Sequence, residues 1–432
     1  MMNIQTLKST IFLIGLMLFS LPISATTSSG ERLFEDGMCL QVKFNQGQPL
    51  KDLEMVKALG VKWVRESLPW ASLEKKKGVY EPFPDNFKKR LDFYKANDVG
   101  VIFVLAYDNW AAYPNSPDNI AASVDPVAFA KYAEYIAREF KKYGVRFVIE
   151  LWNEPHGKGH KLRDKFGGNW NGKPPSPWLD HYVLMVNEAV KRIKAFDSSV
   201  KVISDDDMWV LHYHFLEKGL NKELDGFAVH PYNGGGPPEM TAAKYNSDWT
   251  RPYQVVDMDQ SFESAVRRLK AQALKKMGKT PTIWSTEWGW RVGEKAWSGG
   301  AMSEEIIAAY LPRAYILAES AGVESTCWFS SQDRGDGAFG LKTNDGRLRP
   351  AYHAYIKLSQ TLAKTTFKCE LKQADGSKTK RAFAFSKSSG SLEGDTEAQW
   401  VIASWDASGS ASAEESVIYT QKKGSEFTPV CK

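Results

Sequence analysis

Two glutamates carry the strongest chemical signal in this chain. The stretch "RFVIELWNEP" (146–155) ends an apolar, β-branched run on Trp152, Asn153, Glu154 and Pro155. A second, "PTIWSTEWGW" (281–290), ends on Glu287, Trp288, Gly289 and Trp290. Pro155 has no N–H to give a ladder and stops the first strand. Cleaving a glycosidic bond takes one proton donor and one anionic partner for an oxocarbenium-like transition state. A lone glutamate at a strand end is ordinarily a helix cap or a rim ion pair. Two of them, each at the end of a buried strand and among aromatic rings, suit paired-carboxylate chemistry better.

Other chemistry-bearing stretches are weaker. "HGKGH" (His156 to His160) has metal-ligand residue types, but on a Gly- and Lys-containing loop it is read as substrate-contacting or solvated. "SDDD" places Asp205, Asp206 and Asp207 at another strand end, where helix capping and solvated charge are the simpler reading. "HYH" (His212 to His214) falls on a helix and needs no function. The segment 232–253 is too long for a plain connector and reads either as a wall of the cleft, with Tyr245, Trp249 and Tyr253 as candidate sugar contacts, or equally as an ordinary ordered loop.

The elements that must position the two acids follow from periodicity. Eight apolar runs recur at 38–44, 61–65, 101–107, 146–151, 201–204, 226–230, 282–285 and 325–330. Continuous rather than alternating apolar character fits strands buried on both faces of a parallel sheet. Between them lie helical stripes such as Phe129, Ala133, Ile136 and Phe140, which follow the Asp125–Pro126 start. The series predicts an α/β fold, a (β/α)8 barrel over residues 31–362. An open doubly wound sheet is the alternative, but no Gly-rich phosphate fingerprint follows the first strand. Barrel sites sit at the C-terminal ends of the strands, so Glu154 on the fourth and Glu287 on the seventh should face each other across a cleft lined by Trp152, Trp288 and Trp290. After residue 363 the style shifts to short strand-like runs separated by Gly, Ser and Asp turns, predicting a small antiparallel β domain over 363–432. Residues 32–34 are expected to add a strand to it.

Composition narrows the function classes. The formal charge is +5, from 56 basic and 51 acidic residues spread along the chain, which argues against a nucleic-acid partner. Fifteen tryptophans and seventeen tyrosines hint at stacking on sugar rings. Residues 1–25, with Lys8 before "IFLIGLMLFSLP" and a small residue at Ala25, read as a secretory signal peptide. No later segment is apolar enough to span a membrane, so a periplasmic or secreted protein is expected. In that setting Cys369 and Cys431 can pair, closing a loop worth roughly 4 kcal/mol in the chain-entropy account. Cys39 and Cys327 could pair or remain free.

"WNEP" and "TEWG" at these two strand ends resemble glycoside hydrolase clan A, the retaining barrel glycosidases that include families 5 and 39. The likeness spans roughly residues 38–358. It implies double displacement with Glu154 as acid/base and Glu287 as nucleophile. It further implies that Asn153 holds the hydroxyl beside the anomeric carbon and that Arg65, ending "VKWVR", steadies the nucleophile. From "HPY" it takes His230 and Tyr232, the tyrosine as a donor to the nucleophile, and it makes Trp328 the platform under the sugar. Where many family 5 cellulases carry a histidine after the third strand, this chain has Asp108, Asn109 and Trp110, which leans toward family 39 or a neighbouring group.

The implied activity is an endo-acting β-glycosidase on a cell-envelope, biofilm-matrix or environmental polysaccharide. An exo-acting enzyme such as a β-xylosidase, and an inactive carbohydrate-binding barrel, are the competing readings. A binder needs no matched acid pair. Trp110 and Trp290 are counted with the substrate-binding set. No cofactor or metal is required by this chemistry, and a monomer is expected.

Overall fold

Eight short strands form the centre of the fold, in the computed structural model: β1 (Met38–Gln41), β2 (Trp63–Ser67), β3 (Gly100–Leu105), β4 (Phe147–Leu151), β5 (Lys201–Asp206), β6 (Gly226–Val229), β7 (Thr282–Trp288) and β8 (Ser325–Trp328). The structure describes residues 32–157, 162–206, 209–373, 379–387, 399–407, 416–424 and 426–432, so the signal-peptide reading lies outside the described residues. The strands pair in parallel, in chain order, and β1 pairs with β8 to close the barrel. β3 is buried at every residue, which is why its sequence is uninterrupted apolar.

The strand period of two sorts the barrel interior into layers. One residue from each strand forms an apolar plug: Cys39, Trp63, Ile102, Val148, Ile203, Ala228, Trp284 and Cys327. Two residues further along, on β1, β2, β4, β5 and β7, the interior turns polar, with Gln41, Arg65, Glu150, Asp205 and Thr286 bonded around the axis, either to one another or to His230, whereas Val104 and Phe329 keep the other side apolar. His230 follows β6 directly. The polar layer sits on a dry floor, so charges there act at low dielectric.

Helices cover the outside. That spanning Pro126–Tyr143 is capped by Asp125, whose carboxylate accepts from Ala128 N, and it buries Phe129, Ala133, Ile136 and Phe140. Those at Pro177–Phe196 and Phe262–Met277 bury corresponding stripes. Among the described residues no helix is long and apolar enough to cross a membrane.

Four antiparallel strands follow, β9 (Thr366–Glu370), β10 (Lys380–Ser386), β11 (Gln399–Asp406) and β12 (Ile418–Lys423), in the order β12-β11-β10-β9. Cys369 and Cys431 are bonded, stapling this sheet. It is anchored to the barrel by Trp405 Nε1 donating to Glu239 at 2.7 Å and by Arg381 bonded to Glu263 at 2.7 Å. The strand expected at residues 32–34 is absent. Phe34–Gly37 is instead one turn of 3-10 helix, and Phe34 packs edge-on against Phe385 at 5.6 Å. Cys39 and Cys327 do pair, joining the first barrel strand to the last.

Candidate active site

Arg65 organises the mouth of the barrel. It faces inward from the middle of β2, between Trp63 and Ser67, and is 3 % exposed. Its Nε and Nη2 donate to the two oxygens of Glu150, each at 2.9 Å, and Nη2 also donates to Asn153 Oδ1 at 2.8 Å. Nη1 donates to Gln41 at 2.9 Å and to Glu287 Oε1. Burial alone would lower the guanidinium's pKa, but the charges of Glu150 and Glu287 outweigh it and raise it well above the usual value. Burial likewise works to raise Glu150, and Arg65 overcomes it, holding the carboxyl down at about 2.

Two local departures from strand alternation aim the acids inward. On β7 the pairing with β8 slips between Ser285 and Trp288, a bulge that sets an extra residue against the partner strand. Thr286 and Glu287, adjacent in sequence, consequently both face the interior: Thr286 donates to Glu150 at 3.0 Å, and Glu287 meets Arg65 and the Tyr232 hydroxyl. After β4, Trp152 and Glu154 take left-handed φ values of 78° and 47°. Trp152 is thereby turned against Phe129 and Tyr107, and it is Asn153 that reaches Arg65.

Tyr232 donates to Glu287 Oε2 at 2.9 Å. Burial, then the negative charge of Glu287 and Glu154, pushes this phenol well above its ordinary pKa, so it serves as a donor only. His230 lies between the two acids: Nδ1 is 3.1 Å from Glu154 Oε1 and 3.9 Å from Glu287 Oε2. Its Nε2 is 3.1 Å from both Asp205 Oδ1 and Thr286 Oγ1. Burial opposes the imidazolium, yet the Asp205 and Glu287 carboxylates raise His230 well above the ordinary histidine value. Asp205 itself is pushed up by burial, to about 6, against the pull of His230. Its second oxygen accepts from the backbone N–H of Glu154 at 2.7 Å, fixing the turn that carries that residue.

A profile for cellulase, glycosyl hydrolase family 5, matches residues 34–333. The chain belongs to that family. No curated protein matches this glycosidase in sequence. Its fold is similar to that of a family 39 glycoside hydrolase from Bacteroides cellulosilyticus WH2, at TM-score 0.64 and 20% identity over 87% of this chain and 72% of that one. A family 39 enzyme from Xanthomonas axonopodis pv. citri gives TM-score 0.56 at 15% identity, over 90% and 75% of the two chains. A family 39 β-xylosidase from Caulobacter crescentus gives 0.52 at 15%, over 88% and 79%. The sequence places the chain in family 5, and the family 39 enzymes share its fold; both families fall in the clan that the two motifs resemble.

The glycosidase opens through a cleft of about 770 Å³ whose walls include Arg65, Tyr107, Trp110, Asn153, Glu154, Tyr232, Glu287, Phe329 and Phe339. Trp110 stands 67 % exposed at its rim. Trp290 and Trp328, expected as sugar contacts, are each 1 % exposed and do not line it, and Trp152 and Trp288 are buried likewise. Trp290 donates to Gly236 O at 2.8 Å, and Trp288 stacks on Phe262 at 4.6 Å. The aromatic wall at the end of β8 is Phe329, one residue beyond Trp328, with the Lys43 ammonium 4.1 Å over its ring.

The segment 232–253 does not wall the cleft beyond Tyr232. Asp205 and Asp206 are fully buried rather than solvated, and Asp206 Oδ1 lies 2.8 Å from His156 Nδ1. His160 and Asp207 lie outside the described residues. His212 and His214 fall on the Trp209–Lys218 helix, as read from sequence. Glu150 is the member of the site that sequence reasoning missed, whereas Asp205, noted at its strand end, reads there more simply as a cap or solvated charge. A charge inside an otherwise apolar, doubly buried run was the available signal for Glu150, since such a charge must face the barrel axis and be paired. Among the described residues two groups, Glu150–Asp205–His230 and Glu154–His230–Glu287, have ligand-type atoms close enough for a metal. Arg65, Tyr232 and His230 already engage these carboxylates, so the protein's own donors account for the clusters.

Proposed function

We propose that this family 5 glycosidase is a retaining, endo-acting β-glycosidase of an exported or envelope polysaccharide, with Glu154 as acid/base and Glu287 as nucleophile. One observation carries the reading. An oxygen of Glu154, an oxygen of Glu287 and a ring nitrogen of His230 lie within 4.8 Å of one another. Retaining enzymes hold their carboxyls about 5–5.5 Å apart, whereas inverting ones leave roughly 6.5–9.5 Å for a water.

In the first step Glu287 attacks the anomeric carbon while protonated Glu154 gives its proton to the departing oxygen. The C–O bond breaks, and a glycosyl ester forms on Glu287. In the second, Glu154 takes a proton from water, the hydroxide attacks the same carbon, and Glu287 leaves as carboxylate. Arg65 and Tyr232 each donate to one oxygen of Glu287, which fixes the carboxylate for its attack on the anomeric carbon. Glu154 keeps a 27 % exposed side chain, consistent with proton exchange at the cleft. Asn153, oriented by Arg65 and by its own donation to Tyr107 at 2.9 Å, is assigned to the hydroxyl beside the anomeric carbon. Phe329 takes the platform role foreseen for Trp328.

The exo reading has one observation in its favour. Apart from the catalytic set, the cleft residues come from the ends of β1, β2, β3 and β8, so the cavity extends to one side of the acid pair. Two disulfides support a periplasmic or secreted location. Proton NMR of the first product anomer, with chromatographic sizing of products from soluble β-glycans, tests the assignment. Retained configuration and oligomeric products are expected. An inverted anomer rejects double displacement, and release of single sugars from the outset rejects endo action.

A further inference from the structure

We propose that a cavity on the outer flank of the barrel is a second, non-catalytic carbohydrate site that takes a short uncharged stretch of the polymer. The inference rests on reading the enzyme as one that meets a polysaccharide. The cavity, of about 610 Å³, is within the range typical of ligand sites. It shares no lining residue with the catalytic cleft. Its walls are two loops, 172–176 and 251–253, and its floor comes from the helices Pro177–Phe196 and Trp209–Lys218. Gly172 lets the first loop lie tight: a Cβ there would meet Leu211 at 2.5 Å and Leu179 at 2.8 Å.

Three features select the ligand. First, the lining is mainly apolar and cyclic, with Pro174, Pro175, Leu179, Pro252 and Tyr253. Beside the cavity, on the segments that lead into these two loops, Trp170 and Trp249 meet at 6.0 Å, and Trp170 is 44 % exposed. Flat rings with one wet edge suit the C–H face of a pyranose. Second, His214 lines the cavity at 6 % exposure, and its Nε2 is buried with no hydrogen-bond partner. Burial lowers its pKa, which keeps the ring neutral and able to bond a hydroxyl. Third, most rim charges are matched, Lys218 with Asp180 at 2.8 Å, Lys276 with Glu217 at 2.6 Å and Arg251 with Asp248 at 3.3 Å, and Lys173 adds one further cation to the lining. With only Lys173 left over, the rim offers a phosphate or a uronate a single cation. A purely apolar guest would leave the His214 nitrogen unsatisfied. A hydroxyl-rich neutral sugar satisfies all three.

The test uses the full chain with Glu287→Gln in native gels containing soluble xylan, mixed-linkage β-glucan or galactomannan. In that background Trp170→Ala/Trp249→Ala should weaken retention by the best-bound polymer about threefold or more. In the active enzyme the same pair should lower kcat/KM on that polymer by a similar factor and leave turnover of a small aryl β-glycoside unchanged. Trp170→Ala alone, at an exposed position, gives the same pattern in weaker form without risk to folding. Undiminished retention and polymer turnover in the double variant overturn the proposal. So do equal losses on polymer and aryl glycoside, or a Glu287→Gln parent that no polymer retains. Retention without hydrolysis of any glycoside by the active chain would sink the catalytic reading alone.

Discussion

Replacing Arg65 with methionine separates the two things this residue does. Its five side-chain hydrogen bonds go to Gln41, Glu150, Asn153 and Glu287. Glu150 is 0 % exposed, and Arg65, with a smaller contribution from His230, supplies the positive charge that keeps it ionised. Deleting one partner of a buried pair typically costs about 3–5 kcal/mol, because the other charge is left uncompensated. At about 2 °C per kcal/mol for a chain of this size, the midpoint of thermal unfolding should fall by roughly 6–10 °C. Adding Glu150→Gln removes the orphaned charge, and most of that loss should return. Activity should behave differently. The hydrogen bond to Glu287 is charge-assisted, and losing the roughly 1.5–3 kcal/mol with which it positions the nucleophile lowers kcat/KM about 10- to 150-fold. Glu150→Gln cannot restore it. Thermal unfolding and aryl-glycoside kinetics on the single and double variants give both numbers. If the double variant regains activity together with stability, Arg65 acts only as scaffold. If Arg65→Met unfolds like the wild type, the buried network described above is wrong.

Glu287→Gln should abolish turnover, whereas Glu154→Ala should still cleave glycosides with good leaving groups and be accelerated by azide. Steady-state kinetics across a leaving-group series checks this, and equal, unrescued losses for every leaving group would reverse the assignment. Glu150 has a folded-state pKa of about 2, below its unfolded 4.5, so its stabilisation is present above about pH 4.5 and drains away as the pH falls toward 2. The unfolding midpoint should therefore drop over that window, and drop less steeply in Glu150→Gln; parallel curves would contradict the pairing. Cys39 and Cys327 are 0 % exposed, whereas Cys369 and Cys431 are half-buried. Reductant without denaturant, followed by alkylation and mass mapping, should label the second pair and spare the first; equal labelling would refute the burial argument.

The eight barrel strands were legible because strands covered on both faces must be apolar throughout, and the run at 101–107 differs from β3 by only a residue or two at each end. The same uniformity hides which way each residue points. Nothing in "STEWGW" announces the bulge that turns Glu287 inward and leaves Trp288 packed on Phe262. Trp152, Trp290 and Trp328 looked like cleft rings because aromatic residues serve equally as core and as sugar platform, and only the fold decides between them. Asp205 was visible as an acid after the fifth strand. Its burial against His230 depends on a partner 25 positions away that no local pattern specifies.

The bond between Cys39 and Cys327 spans 288 residues and ties β1 to β8. The chain's earliest structural cysteine therefore stays unpaired until the final barrel strand has been made and has docked at the closing seam. Oxidation at that seam acts as a completion mark. A barrel truncated before Cys327 has no native partner for Cys39, and it would carry a thiol visible to whatever quality control inspects unfinished chains.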